Sequence, residues 1–474
     1  MNTTRSTTAS RRPALALALI LGCQMMLMLD ATVVNIALPG IGVDLGFSPA
    51  GLSWVLNAYT LAFGGLLLIG GRIGDLFGRR RTLVAGVAAF SVASLLGGLA
   101  DSVPALLLAR AAQGAAAAVT APSALALAAT IHPEGPERDR ALGLFTSMAA
   151  VGSAVGMVLG GLLTGLGSWR WTLFINVPVG LAVALLLPFA LAETPRRPAR
   201  FDLAGALAGT GAVTALVYAF IRAADHGWED AQVARSLAAA AVLLPVFVRI
   251  ERRAVQPVVP LGLFAVRNRA LAYGAMLLTP AAMFGVLYVN TRQLQVVRGY
   301  GPLHAGLVFL PLAAGLFAAS VLAGRLLARH GLKRVAGTGL GLAIAGVLGQ
   351  AAAAAGGGGQ WALLAPLALN GLGVGLVFMP LSALILSGVD PSRAGAASGT
   401  MQTVQQIGGA LGLSVLVVTV YGAGVRGADS AAGLGAAAAF LAAALVLVLN
   451  TRVGPDRSAH GQAPHEVRTA DVSP

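Results

Sequence analysis

One basic segment, Gly71-Arg-Ile-Gly-Asp-Leu-Phe-Gly-Arg-Arg-Arg81, stands between two long apolar runs of this chain. Its arginines cannot enter hydrocarbon, so the sequence predicts a short basic loop between two membrane-spanning helices. Clustered positive charge beside apolar spans is typical of cytoplasmic loops. The segment therefore predicts the orientation of the first helices as well as their existence.

The basic segment has a partial copy in the second half of the chain. At one constant offset, Gly71-Arg72 corresponds to Gly324-Arg325, Gly78 to Gly331, Arg80-Arg81 to Lys333-Arg334, Arg140 to Arg393, Met148 to Met401 and Gly156 to Gly409. Repeated matches at a single offset predict two related halves. The acidic residue is not repeated, because Asp75 corresponds to Ala328.

The composition excludes most soluble classes of protein. Of the 474 residues, 57% are hydrophobic and 11% are charged, whereas soluble domains carry about 25% charged residues. The net charge of +14 is spread over short loops rather than one domain face, so nucleic acid is not an expected partner. The single cysteine, Cys23, excludes a disulfide within the chain.

Counting apolar runs of about 20 residues predicts an all-α polytopic membrane protein with 14 transmembrane helices. We predict a cytoplasmic tail at 1–13, a six-helix half at 14–191 and a second six-helix half at 269–450, followed by a cytoplasmic tail at 451–474. The linker 192–268 holds two extra helices, because the repeat offset makes them an insertion. The first span is predicted to end at Leu38, just before Pro39.

The distribution of basic residues supports an orientation with both ends in the cytoplasm. Most of the 32 basic residues then fall in the tails and cytoplasmic loops, as the positive-inside rule expects. We predict a multi-pass protein of the bacterial inner membrane, and a monomer. Six basic residues fall outside: Arg170, Arg222, Arg235, Arg292, Arg298 and Arg426.

Five stretches resemble motifs of the major facilitator superfamily, and of its fourteen-helix drug:proton antiporter branch of the EmrB/QacA type. These stretches are Gly71–Arg81, Leu29-Asp30-Ala-Thr-Val-Val-Asn-Ile-Ala-Leu-Pro39, Arg110-Ala-Ala-Gln113-Gly114, Trp169-Arg-Trp-Thr-Leu-Phe-Ile-Asn-Val-Pro178, and Leu294-Gln295 with Gly299-Tyr300-Gly301-Pro302. The resemblance covers nearly the whole chain. It implies two six-helix halves around a central cavity, and it does not specify the substrate.

Asp30 is the one acidic residue that the predicted spans contain, and Arg110 is its expected partner. A charge inside a membrane is costly and is usually functional, and the resemblance links this aspartate to proton exchange. Burial favours the protonated carboxyl, whereas a nearby arginine favours the ionised one. The alternatives for Asp30 are a neutral aspartic acid bonded to hydroxyl or amide groups and an interfacial residue near the outer end of the helix. The alternative for Arg110 is an arginine that only bonds backbone carbonyls.

The resemblance assigns the basic segment a part in conformational switching. The residues that match the motif are Gly71, Arg72, Gly74, Asp75, Gly78, Arg79 and Arg80. The expectation is that this loop holds the cytoplasmic ends of the two halves together in one state. The alternative for Asp75 is a local ion pair in a wet loop, which contributes little to stability.

A glycine series marks the predicted fifth span. Gly152, Gly156 and Gly160 recur at every fourth residue and Gly161 follows, a spacing that permits close helix contact in lipid. The related antiporters carry Gly-Pro where this chain has Gly156-Met157, so an expected kink is lost. A tight packing contact is expected whether or not the antiport role holds.

Uncharged polar residues in the spans are candidates for the substrate cavity. No pattern in the sequence resembles a metal site, a nucleotide-binding loop or a catalytic triad, so we expect no metal, no cofactor and no enzymatic activity. The cavity candidates are Asn35, Gln113, Asn290, Asn370, Gln402, Gln405 and Gln406.

These observations favour a proton-driven exporter of small amphipathic compounds. Its expected partners are the small-molecule substrate, protons and membrane lipids. A proton-coupled importer or a lipid or metabolite transporter on the same fold is the alternative, which Met157 keeps open. A non-transporting membrane sensor is a more remote alternative, because the loops are short.

Overall fold

The computed structural model describes residues 12–132, 135–194, 202–254, 257, 259–356, 359–389, 394–421 and 430–452. These described residues form fourteen long helices. In chain order they are α1 Pro13–Leu45, α2 Trp54–Phe77, α3 Arg79–Gly98, α4 Val103–Ala128, α5 Pro136–Leu166, α6 Asn176–Ala190, α7 Leu203–His226, α8 Ala231–Arg253, α9 Arg267–Arg292, α10 Leu310–His330, α11 Leu332–Ala355, α12 Trp361–Leu386, α13 Ala394–Tyr421 and α14 Ser430–Leu449.

The helices have the length and composition of membrane spans. Within the described residues, 13 helical segments are long and apolar enough to cross a membrane. The remaining long helix, α5, has 31 residues and an apolar part at Val151–Leu166. Short helical pieces extend three spans: Trp171–Phe174 before α6, Gln293–Val297 after α9 and Pro302–Val308 before α10. The predicted all-helical membrane fold is confirmed.

The first six and last six helices pack in the same pattern. In the first set, α1 contacts α5 and α6, α2 contacts α4, and α3 contacts α4 and α6. In the second set, α9 contacts α13 and α14, α10 contacts α12, and α11 contacts α12 and α14. This repeated packing is what a duplicated six-helix unit produces. The residue boundaries of the domains stay predictions.

The extra helices α7 and α8 form a hairpin outside the two halves. Helix α7 packs against α8, α2 and α13, so the hairpin lies over the contact between α2 of the first half and α13 of the second. Only 11% of the most apolar stretch of α8 is buried inside the protein. Most of α8 therefore faces the surroundings, which suits a helix in lipid.

The halves meet through α2 with α13 and through α5 with α10 and the short helix Pro302–Val308. We call the membrane face where α1 begins the N-terminal face, and the other the opposite face. Towards the opposite face, the Thr291 hydroxyl donates to Asn35 Oδ1 at 2.6 Å and the Gln295 amide donates to the Ile36 carbonyl at 2.8 Å. The Tyr288 hydroxyl donates to the Pro49 carbonyl at 2.9 Å. These bonds join the two halves at that end of α1.

The basic segment turns tightly between two helices, as predicted, but most of its residues are helical rather than part of the connection. Helix α2 continues to Phe77 and α3 begins at Arg79, leaving Gly78 as the whole connection. Gly78 has a φ of 96°, which favours glycine because other residues meet steric strain there. Long arginine side chains reach water from helix ends, so the charges did not require an extended loop.

The end of the first helix also differs from the prediction. Helix α1 continues through Pro39 to Leu45 and ends at Gly46, whose φ of 69° is the left-handed conformation of a helix C-cap. Asp30 therefore lies near the middle of this 33-residue helix rather than close to its outer end. Asp30 is not the only acid in the long helices, since Asp44, Asp75 and Glu251 lie near the ends of theirs.

Candidate functional site

A buried ion pair between α1 and α4 forms the centre of the candidate site. The side chains of Asp30 and Arg110 are 0% and 1% exposed, and Arg110 Nη1 lies 2.7 Å from Asp30 Oδ2. The sequence analysis named the same two residues as partners. Because a buried charge without a partner is strongly destabilising, each residue here supplies the counter-charge of the other.

Two amide side chains complete the environment of the Asp30 carboxylate. Asn176 Nδ2 of α6 donates to Asp30 Oδ1 at 2.8 Å, and Gln113 Nε2 of α4 donates to the same oxygen at 3.3 Å. Gln113 and Asn176 also donate to the Ser94 hydroxyl of α3, at 2.6 and 3.3 Å. The Asp30 carboxylate thus accepts hydrogen bonds from three side chains, those of Arg110, Gln113 and Asn176. We call Asp30, Arg110, Gln113, Asn176 and Ser94 the Asp30 cluster.

Arg110 is fixed by further contacts. Its Nε donates to the Val55 carbonyl at 3.0 Å, and its Nη1 donates to Gln113 Oε1 at 3.0 Å. The guanidinium carbon lies 4.6 Å from the centre of the Tyr59 ring, within the range of a cation–π interaction. Protonation of Asp30 would leave the buried Arg110 guanidinium without its counter-charge and without access to water. Such a pair can couple a proton to a change in packing.

Asn176 and Ser94 are members of the cluster that the sequence analysis did not select. Asn176 lies inside the Trp169–Pro178 stretch that matches a family motif, so that motif was an available signal. Ser94 had no comparable signal, since serine is common in membrane helices and its hydroxyl usually bonds its own helix.

The glycine series of α5 packs against α1 beside the Asp30 cluster. A side chain at Gly152 would meet Met25 and Met28, one at Gly156 would meet Leu29 and Thr32, and one at Gly160 would meet Val33. Gly161 instead faces Pro302 and Leu303 of the second half. The close contact expected from the spacing is therefore present in the structure. The proposed part of these glycines in antiport stays a prediction.

The arginines of the basic segment bond backbone carbonyls and pair with two acids, Asp75 and Glu193. Arg79 Nη2 lies 2.6 Å from Asp75 Oδ1, one helical turn away across Gly78. Arg72 donates to the Pro257 carbonyl at 3.0 Å, and Arg80 donates to the carbonyls of Pro188 and Leu191 at 3.3 and 3.0 Å. These contacts tie the segment to the end of α6 and to the connection between α8 and α9. Its switching role stays a prediction.

Glu193 and Thr194, which the sequence analysis also missed, cap the first turn of α3. Glu193 carboxylate oxygens accept the backbone N–H groups of Arg80 and Arg81, each at 3.1 Å. The Thr194 hydroxyl accepts the N–H of Arg79 at 2.8 Å. The Arg80 and Arg81 side chains also lie within 3.6 Å of Glu193. A carboxylate at a helix N-terminus satisfies free N–H groups and offsets the helix dipole.

The seven cavity candidates do not form one cluster. Gln113 belongs to the Asp30 cluster, Asn35 bonds Thr291, and Asn290 donates to Gln350 Oε1 at 2.7 Å. Asn370 is buried on α12 and lies against α11 near Gly346. Gln402, Gln405 and Gln406 are half-buried on α13, with Gln406 against Gly64 of α2. Their part in substrate binding stays a prediction.

Groups of three or more His, Cys, Asp or Glu side chains that could hold a metal ion are absent from the described residues. The candidate site is thus a buried acid–base pair with amide and hydroxyl partners, in a duplicated bundle of membrane-spanning helices. A buried ion pair in a duplicated bundle of membrane-spanning helices is typical of a polytopic membrane transport protein.

Comparison with known proteins agrees with that class. The model of the Major Facilitator Superfamily matches residues 20–413. The chain belongs to the major facilitator superfamily.

Two named relatives match this chain over most of their own length. The chain is 42% identical over 420 residues to the cephamycin export protein CmcT of Amycolatopsis lactamdurans, covering 87% of this chain and 86% of the relative. It is 41% identical over 415 residues to the puromycin resistance protein pur8 of Streptomyces alboniger, covering 86% and 82%. The crystal structure of the nucleoside transporter NupG (D323A mutant) superposes with a TM-score of 0.66 over 92% of this chain and 98% of that chain, at 14% identity. That last likeness concerns the fold alone.

Proposed function

We propose that this protein exports small amphipathic compounds, among them antibiotics, in exchange for protons. The relatives named for cephamycin export and puromycin resistance support the direction and the class of substrate. We further propose that the chain acts as a monomer in a bacterial inner membrane, with its N-terminal face in the cytoplasm. The excess of basic residues on that face supports the orientation.

The observation that carries the proton-coupled mechanism is the buried Asp30–Arg110 pair. In the ionised state, Arg110 and the amides of Gln113 and Asn176 hold the carboxylate between α1, α4 and α6. A proton that enters from the opposite face neutralises Asp30 and weakens its hold on Arg110. Since α1 also carries Asn35, which bonds the second half, a shift of α1 alters the contact between the halves.

Alternating access follows from breaking and remaking that contact. To open the opposite face, the bonds from Thr291, Gln295 and Tyr288 to the first half must separate. Substrate leaves on that face and a proton enters, and the proton is released after the halves close again. The basic segment, with Asp75 beside Arg79, is the proposed switch on the N-terminal face.

Transport into everted vesicles tests this proposal. Vesicles with an acidified lumen should accumulate an amphipathic antibiotic such as puromycin, because lumenal protons leave as substrate enters. Asp30→Asn should reduce gradient-driven accumulation about a hundredfold or more, since the amide cannot carry a proton through the cycle. Asp101→Asn, which changes an exposed acid at the opposite face, is the matched control and should transport normally.

Two outcomes would contradict the proposal. Full gradient-driven accumulation by the Asp30→Asn variant would remove Asp30 from the coupling step. Accumulation only in right-side-out vesicles would show import, and the reversed direction would then replace export.

A further inference from the structure

A cavity of about 810 Å³ lies on the N-terminal face at the turn between α10 and α11. Its volume falls within the range of small-molecule sites, about 300–1,000 Å³. Among the described residues, the lining combines basic and apolar side chains and contains no acidic one. It consists of Leu326, His330, Gly331, Leu332, Lys333, Arg334, Val335, Gly337, Thr338, Leu376 and Leu449.

The positions of the basic residues call for an anion. Lys333 and Arg334 lie in the first turn of α11, where the helix dipole disfavours positive charge by a few tenths of a kcal/mol or more. Arg329 and His330 differ, because they lie in the last turn of α10, where the dipole favours a cation. The helix dipole therefore accounts for the positions of Arg329 and His330, but it does not account for those of Lys333 and Arg334.

The equivalent turn of the first half shows what neutralises such a helix start. There, Glu193 accepts two N–H groups of α3 and lies beside Arg80 and Arg81, the counterparts of Lys333 and Arg334. In the second half, the segment after α14 brings Thr451 and Arg452 to this side of the protein. Lys333 Nζ donates to the Thr451 carbonyl at 3.3 Å, which carries no net charge. Among the described residues, no carboxylate pairs with Lys333 or Arg334.

The apolar part of the lining identifies the kind of anion. Leu332 and Leu326 are half-buried and Leu449 is 51% exposed. These leucines give the cavity an apolar border at the ends of α10, α11 and α14, where these helices leave the membrane. A ligand that fits must present an anionic group to Lys333 and Arg334 and an aliphatic part to the leucines. Basic pockets between spanning helices bind lipid head groups in this way.

From this juxtaposition we infer that the cavity binds an anionic phospholipid of the leaflet at the N-terminal face. The lipid phosphate occupies the place that the Glu193 carboxylate has in the first half, next to the N–H groups at the start of α11. Its acyl chains lie along Leu326, Leu332 and Leu449. The site is separate from the Asp30 cluster and does not depend on the proposed transport function.

Lipid titration of the purified full chain in neutral detergent tests the site. Phosphatidylglycerol should raise the thermal unfolding midpoint in a saturable way, whereas phosphatidylcholine and inorganic phosphate should not. Lys333→Gln with Arg334→Gln should weaken the apparent affinity for phosphatidylglycerol at least about tenfold, since each basic residue near a lipid surface contributes about 1 kcal/mol. Arg252→Gln with Arg253→Gln removes two exposed basic residues from α8 on the same face and should leave the affinity unchanged.

A second variant avoids changes to the lining itself. Ala328 is exposed in the last turn of α10 and corresponds to Asp75, so Ala328→Asp adds an acid to the turn that carries the cavity without disturbing the core. It should weaken phosphatidylglycerol binding several-fold. The inference is overturned if the wild-type protein shows no saturable response, if both double variants respond alike, or if phosphatidylcholine binds as well. An equal response to inorganic phosphate would mean an anion site without a lipid, which also overturns it.

Discussion

The α2–α3 turn and the α10–α11 turn occupy equivalent places in the two halves, yet the described chain neutralises them differently. At the first turn, Asp75 pairs with Arg79, and Glu193 bonds the N–H groups of the next two residues. At the second, Ala328 replaces the acid, and Lys333 bonds a neutral carbonyl. The first turn is closed by its own chain, whereas the second opens into a cavity with a basic lining.

The same contrast recurs inside the membrane. The first half buries the charged pair Asp30 and Arg110, whereas the second half buries the neutral pair Asn290 and Gln350, 2.7 Å apart. Both halves keep the same helix packing. Packing depends on helix shape and small residues, so it does not require the same charged groups in both halves. The pair that we propose for proton coupling therefore lies in the first half.

The largest expected effect comes from truncating the buried cation. Arg110→Ala leaves Asp30 buried without a counter-ion, which typically costs about 3–5 kcal/mol. Gln350→Ala in the second half removes a neutral partner of Asn290 and should cost about 1–3 kcal/mol. Unfolding free energies of both variants in mixed micelles measure the difference, and proton-driven transport should be lost only in the first.

Equal costs for these two substitutions would contradict the comparison, because the charged pair would then act as an ordinary hydrogen bond. Normal transport by a folded Arg110→Ala variant would also remove this arginine from the coupling step.

A smaller effect is expected at the start of α3. Glu193→Ala removes the cap of that helix and should cost about 1–2 kcal/mol. It also makes the first turn resemble the second, so the variant should gain a further response to phosphatidylglycerol. Glu229→Ala changes an exposed acid in the α7–α8 connection and serves as the control. A Glu193→Ala protein as stable as this control would show that the cap contributes nothing.

Much of this fold could be predicted because its signals are local in sequence. Apolar runs, basic loops and the repeat of Gly71-Arg72 at Gly324-Arg325 predicted the helices and the two halves. The pairing of Asp30 with Arg110 was also accessible, because a charge in a membrane requires a partner. These inferences need no knowledge of which helices are neighbours.

The errors and omissions have a different physical origin. Pro39 suggested a helix end, but a helix in lipid can contain a proline where other groups satisfy its backbone. The arginines around Gly78 also suggested helix ends, but their long side chains can reach water from within a helix. Glu193 lies more than a hundred residues from the helix that it caps. Its role depends on the tertiary contact between α3 and α6, which no local pattern encodes. Asn176 differs from Glu193, because the Trp169–Pro178 stretch that resembles a family motif contains it.

The smallest expected effect concerns a third helix start, that of α8 in the hairpin at the opposite face. Asp230 Oδ1 accepts the N–H groups of Gln232 and Val233 at 2.7 and 3.4 Å, and both carboxylate oxygens accept from Arg222. The bonds from Arg222 lower the pKa of Asp230 from 3.8 to about 2. A lowered pKa in the folded state means that the stabilisation is present above about pH 4 and is lost as the pH falls through about 2.

Hydrogen exchange at the first turn of α8, corrected for the intrinsic effect of pH, measures this dependence. The wild-type protein should lose protection at Gln232 and Val233 as the pH falls below about 4, whereas Asp230→Asn should show weaker protection at pH 5 and little further change. The asparagine keeps a capping oxygen, so only the charge contribution is removed. If the two proteins show the same pH profile, the ion pair with Arg222 does not stabilise the hairpin. The start of α8 would then resemble that of α11, where the described part of the chain supplies no anion, rather than that of α3.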